Sequence, residues 1–231
     1  MSKGETLRQD TERRLSDVLS KYVPSMRGKI MAALREYGSV EAIPPEFWVE
    51  LSDEMDRKHA ALLIILMLSV YSDTEDMLGL DNLPEEDVIV GASPMSVRIA
   101  QNSNRLWVSS IRARLIRAAK DGDALAGDTI RDIITDDGAL LTARNSTTMS
   151  RATARRSAGG DFARRTGTQI ELVWRIHPEL SRSGPCPECE ALDGLTEFGD
   201  GFTEGWGESA PEGPPLHPNC VCDLEPVEVS A

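Results

Sequence analysis

Apolar residues recur at helical spacing along most of the first 165 positions. In 6–22, Leu7, Leu15, Val18, Leu19 and Tyr22 gather on one helical face, and Pro24 follows as a stop. Positions 25–37 repeat the pattern with Met26, Ile30, Ala33 and Leu34, and Gly38 stands where a C-terminal cap belongs. Pro44 and Pro45 then open a longer predicted helix, 46–71, whose stretch 60–68 is apolar without interruption. A helix apolar on every side is expected inside a bundle or against another subunit. His59, at the start of that stretch, reads as a boundary residue and not as a catalyst.

Gly79, Pro84, Gly91 and Pro94 break the periodicity, so 80–95 reads as a linker between two halves. An amphipathic helix is predicted over 96–120, with Ile99, Ala100, Trp107, Ile111, Leu115 and Ala118 on one face. A shorter one follows at 124–135, closed by Asp136-Asp137-Gly138. A third covers 139–165; it lacks large apolar residues, so close packing through Ala, Ser and Thr is expected, with Gly159-Gly160 bending or ending it. Positions 170–176 alternate and are rich in β-branched residues, predicting a strand. The remainder is Gly/Pro-rich, and 195–216 holds too few bulky side chains to pack a core. The fold class is therefore mostly α, with a small β-containing unit at the C-terminus. The division is 1–94, a helical N-terminal region, and 95–231, split into helices (95–166) and a tail (167–231).

Charge is partitioned along the same lines. The net is −8 over 1–94, +6 over 95–166 and −11 over 167–231, giving −13 for the 231 residues. That balance excludes a wholesale polyanion binder. The middle block takes its positive charge from arginine, Lys120 excepted. Arg98, Arg105, Arg112, Arg117, Arg151, Arg155 and Arg156 are thus candidate contacts for DNA or for an acidic partner, since guanidinium suits bidentate binding of phosphate or carboxylate. No apolar run approaches the roughly 20 residues that span a bilayer, and the polar start does not resemble a signal peptide. A cytoplasmic protein is expected.

All four cysteines lie in the tail, as Cys186-Pro-Glu-Cys189 and His217-Pro-Asn-Cys220-Val-Cys222. A Cys-x-x-Cys turn presents two thiolates from one knuckle, and a distant second pair completes a tetrahedral zinc site. Metal binding would supply folding free energy that this polar segment cannot draw from hydrophobic burial. Five candidates compete for four places. Cys186, Cys189 and His217 come first, with Cys220 or Cys222 as fourth, and four cysteines without His217 remain open. A strand at 220–224 would point Cys220 and Cys222 to the same face. Disulfides are the lesser alternative in a cytoplasm.

His177-Pro-Glu179 before Pro185-Cys186-x-x-Cys189 imitates the zinc deaminase signature, but the six residues between cannot hold the intervening helix and strand of that site. No phosphate loop, nucleophile elbow or His-Glu-x-x-His motif is present, so no enzymatic role is expected.

Trp174 in a strand, Cys-Pro-x-Cys at 186–189, Ala-Leu-Asp-Gly at 191–194, Pro-Pro-x-His-Pro-Asn-Cys-x-Cys at 214–222 and a closing Pro226 resemble the phage Mu F-like head morphogenesis (minor head or minor capsid) proteins. The segment Ala143-Arg144-Asn-Ser-Thr-Thr148 resembles that family's Ala-Arg-Thr-Glu-Thr helix. The chain departs from the family at Val221, where arginine is usual, and at Ser146, where an acid is usual. The resemblance covers about 97–227 and is concentrated in 174–226. It implies a structural part in a tailed-phage head near the portal, with influence on DNA packaging or ejection. Expected partners are the portal or major capsid protein, with packaged DNA as a further candidate and neither membrane nor small-molecule substrate. The chain would sit in the host cytoplasm during assembly and then in the virion. The rival reading from the residues alone is a zinc-knuckle nucleic-acid-binding protein using the 95–166 arginines.

Overall fold

The computed structural model describes residues 3–79, 85–177, 186–197, 214–215, 220 and 222–229. The described part is mostly helical. Helices α1 (Lys3–Ser20) and α2 (Val23–Tyr37) fall where the periodicity predicts them. Gly38 ends α2 in the left-handed conformation, φ 80°, with its N–H bonded to the Leu34 carbonyl. Helix α3 (Pro45–Met77) runs one and a half turns beyond its expected end, followed by α4 (Glu85–Lys120), α5 (Gly127–Ile133) and α6 (Asp136–Thr166).

One core joins these helices. It contains Leu15 and Leu19 of α1, Ile30 of α2, Met55 and Leu63 of α3, Trp107 and Ile111 of α4, Ile130 of α5, and Ala139 and Ala143 of α6. Residues on both sides of position 94 therefore share a single apolar interior. The linker reading is corrected for 85–95, where α4 passes through Gly91 and Pro94, while 80–84 fall outside the described residues. A proline inside a helix costs about 3 kcal/mol through its lost N–H and a clash with the preceding turn. Packing opposes that cost, because Ala92 is buried with Leu66, Met67 and Val70 of α3 and Ala154 of α6.

The apolar stretch 60–68 is not enclosed on all sides. Ala60, Leu63, Leu66 and Met67 are buried, whereas Ile65 is 56% exposed. His59 is also corrected: it is fully buried between α3 and α4, its Nδ1 2.9 Å from Asn104 Oδ1. Asn104 in turn donates to Asp56 at 2.7 Å. Burial in this seam holds the imidazole neutral down to about pH 4.

Helix α6 packs against α1, α3, α4 and the tail sheet. Its small residues permit that: Ala143, Ser146, Thr147, Ala154 and Ala158 are all buried. Ser146, at the family's usual acid, folds its hydroxyl back onto the Thr142 carbonyl. Arg144 beside it pairs with Glu12 of α1 at 3.0 Å. Gly159 and Gly160 do not end α6, which continues to a left-handed Gly167. Gly159 instead lies close to the next strand, where an added Cβ would meet Ile170 at 3.2 Å.

Among the described residues, three antiparallel strands form a sheet: β1 (Ile170–Arg175) lies between β2 (Thr196–Glu197) and β3 (Asp223–Glu228). Trp174 opposite Leu224 and Leu172 opposite Pro226 set the register of β1 on β3.

Candidate metal centre

The tail builds its site from the turn that carries Cys186 and Cys189 and from Cys220 and Cys222 ahead of β3. Cys186 caps the short helix α7 (Pro187–Glu190), and its carbonyl accepts the Glu190 N–H at 2.9 Å. The chain then turns through Gly194, φ 82°, and clasps β1: Gly194 N–H donates to the Trp174 carbonyl, and Trp174 N–H to that of Leu195. Cys220 lies against α6, where the Thr148 hydroxyl donates to the Cys220 carbonyl at 3.1 Å.

Cys189, Cys220 and Cys222 thus come together, all buried, with their sulfurs within 4.8 Å of one another. The Cys189 and Cys220 sulfurs are 4.0 Å apart. A tetrahedral ion with metal–sulfur bonds near 2.3 Å needs ligand sulfurs about 3.8 Å apart. Three converging soft donors at that separation fit a metal ion. Trp174, Leu192, Leu224 and Ala152 of α6 enclose the group in apolar surface.

Cys220 and Cys222 both belong to the cluster, as in the open alternative that uses both. Cys186 lies outside the three-sulfur group, half-buried and packed against its apolar surround. His217 falls outside the described residues. None of the four cysteines forms a disulfide.

Without an ion the Cys189 and Cys222 thiols resist ionisation. Burial, then the neighbouring Cys220, pushes Cys189 up to about 12. Cys222 is raised further, first by its hydrogen bond with Cys220 and then by burial. A cation would reverse both shifts by replacing thiol protons as the centre's positive charge.

The first residue of β3 anchors this unit to the helices. Buried Asp223 accepts from Arg151 Nη2 at 2.5 Å and from Arg155 Nε at 3.2 Å. Arg155 also reaches Thr74 Oγ1 of α3 at 3.3 Å and lies 3.6 Å from Asp73. Arg151 and Arg155 are only 4% and 8% exposed. They are corrected from surface contacts to internal ion pairs. Helical repeat places them on the same face of α6, toward a strand about 70 residues away in sequence. The acid after the last cysteine was the available signal, and periodicity could not name its partner.

The other arginines divide by exposure. Arg98, Arg105 and Arg117 are exposed, Arg105 lying 4.0 Å from Asp53. Arg112 is half-buried with its guanidinium 5.7 Å over the Trp48 ring. Arg156 is half-buried in the wall of a groove between α4 and α6. No helix among the described residues is long and apolar enough to cross a membrane.

No protein-family model, curated protein or solved structure matches this chain. The centre therefore speaks through its own geometry.

Proposed function

We propose that this chain is a structural minor head protein of a tailed phage, whose tail is closed by one zinc ion. The observation that carries the proposal is the docking of the three-cysteine centre and its Trp174 strand onto the long small-residue helix. These are the same two segments that resemble the Mu F-like proteins. Zinc is the ion assigned because thiolate-rich tetrahedral sites favour it. Cys186 or His217 supplies the fourth donor. A closed set of four protein ligands leaves no position for substrate, so the centre acts as a clasp. The clasp holds the tail sheet on α6 and presents a stable unit to the portal or the shell.

Quantitative mass spectrometry of capsid particles from the producing cells tests the reading. A few copies of this chain against hundreds of the major shell protein are expected. Absence from immature and mature particles alike overturns it. The nucleic-acid reading loses Arg151 and Arg155, which are spent on Asp223.

A further inference from the structure

Helices α4 and α6 run antiparallel, with Met95 beside Ser157 at one end and Trp107 against Gly138 toward the other. Between them lies a groove of about 680 Å³. Its α4 wall follows one helical face from Ser103 through Leu106, Trp107, Ser110 and Ile111 to Arg114. That wall is roughly 16 Å long at 1.5 Å per residue, about three helical turns. Leu141, Met149 and Ala152 continue the apolar lining on α6. At the rim, Leu106 is 72% exposed, the most exposed large apolar side chain among the described residues.

We propose that this groove docks an acidic peptide segment of a partner protein, bearing apolar or aromatic side chains. Two observations select that chemistry. First, the charged residues of the lining are Arg114 and Arg156; no aspartate or glutamate lines it. Arg114 is fixed by donating to the Ile133 and Asp132 carbonyls, which position its charge without neutralising it. Second, the apolar lining and exposed Leu106 offer burial to Leu, Phe or Trp side chains, the usual basis of peptide-in-groove recognition. The apolar lining suits the side chains of a protein segment better than the phosphate backbone of a nucleic acid. The inference stands independently of the phage reading.

A labelled synthetic peptide with the sequence of positions 198–213 is a suitable probe. It carries Phe198, Phe202 and Trp206, with Asp200, Glu204, Glu208 and Glu212 and no basic residue. Fluorescence anisotropy with the full chain is expected to give saturable binding that weakens as salt rises from about 0.05 to about 0.5 M. Leu106→Ser and Arg156→Gln are each expected to lower affinity about tenfold, a change of about 1.4 kcal/mol. An analogue with its four acids replaced by lysine should bind at least roughly tenfold more weakly. No saturable binding, or equal binding of the two peptides, overturns the proposal. So does an unchanged affinity in Leu106→Ser. A full chain with Phe198, Phe202 and Trp206 all changed to alanine distinguishes the source. Unaltered affinity supports an outside partner; about tenfold tighter binding would show the chain's own segment competing, and would overturn the partner assignment.

Discussion

Replacing Asp223 by asparagine should separate the tail sheet energetically from the helices while barely changing shape. Asp223 takes hydrogen bonds from both Arg151 and Arg155, and all three side chains are below 10% exposed. Removing the acid leaves two buried guanidinium groups without their shared counter-charge. Breaking a buried pair on one side costs about 3–5 kcal/mol, because the remaining charge stays desolvated. Arg155 retains Asp73 at 3.6 Å, itself partly exposed, so a loss of about 3 kcal/mol is expected. Urea denaturation followed by circular dichroism would measure it. Hydrogen exchange would locate it, with β1 and β3 losing protection before α1 and α2. The decisive companion is the double variant Arg151→Met, Asp223→Leu. It removes both partners of the closest pair and should recover a substantial part of the loss, since an apolar pair of similar volume carries no desolvation penalty. A loss below about 1 kcal/mol in Asp223→Asn would refute the reasoning. Equal destabilisation in the double variant would show instead that packing and not charge holds the sheet.

Acid should weaken the α3–α4 seam through His59. Its folded pKa is depressed from 6.5 to about 4, so the unfolded chain binds the proton more readily between these values. The stabilisation is complete above about pH 6.5 and is lost as pH falls toward 4, by up to about 3 kcal/mol. Denaturation across that window should show the loss, and His59→Gln should flatten it. Gly138→Ala is expected to destabilise by about 1–3 kcal/mol, because its Cβ would lie 2.6 Å from Trp107 Nε1. Gly28→Ala, exposed in the middle of α2 with nothing near its Cβ, should instead gain up to about 1 kcal/mol; thermal melts would read both signs. Zinc binding should release protons from Cys189 and Cys222, so affinity should rise with pH, and calorimetry in buffers of different ionisation enthalpy would count them. Cys220→Ser should lower both affinity and zinc content measured by elemental analysis.

What the amino-acid order determines by itself is whatever neighbours within a few positions decide. Gly38 ends α2 because the left-handed conformation is cheapest for glycine, and 170–175 extends because Ile170, Val173 and Trp174 favour a strand. The Cys-x-x-Cys spacing likewise announces a turn, although only Cys189 of that pair reaches the three-sulfur group. The tertiary structure decides matters that depend on distant partners. Pro94 and Gly91 lie within a helix because α3 and α6 bury the adjacent turns, overriding a local preference for a break. His59 is buried because Asn104, 45 residues later, comes within hydrogen-bond reach. Arg151 and Arg155 belong to an arginine-rich stretch by composition, and only the approach of Asp223 turns them inward. Cys220 and Cys222 both join the centre because β3 pairs with β1 and seats the two beside α7. Periodicity encodes which face of a segment is apolar, whereas the identity of the surface that meets it arises from packing the whole chain.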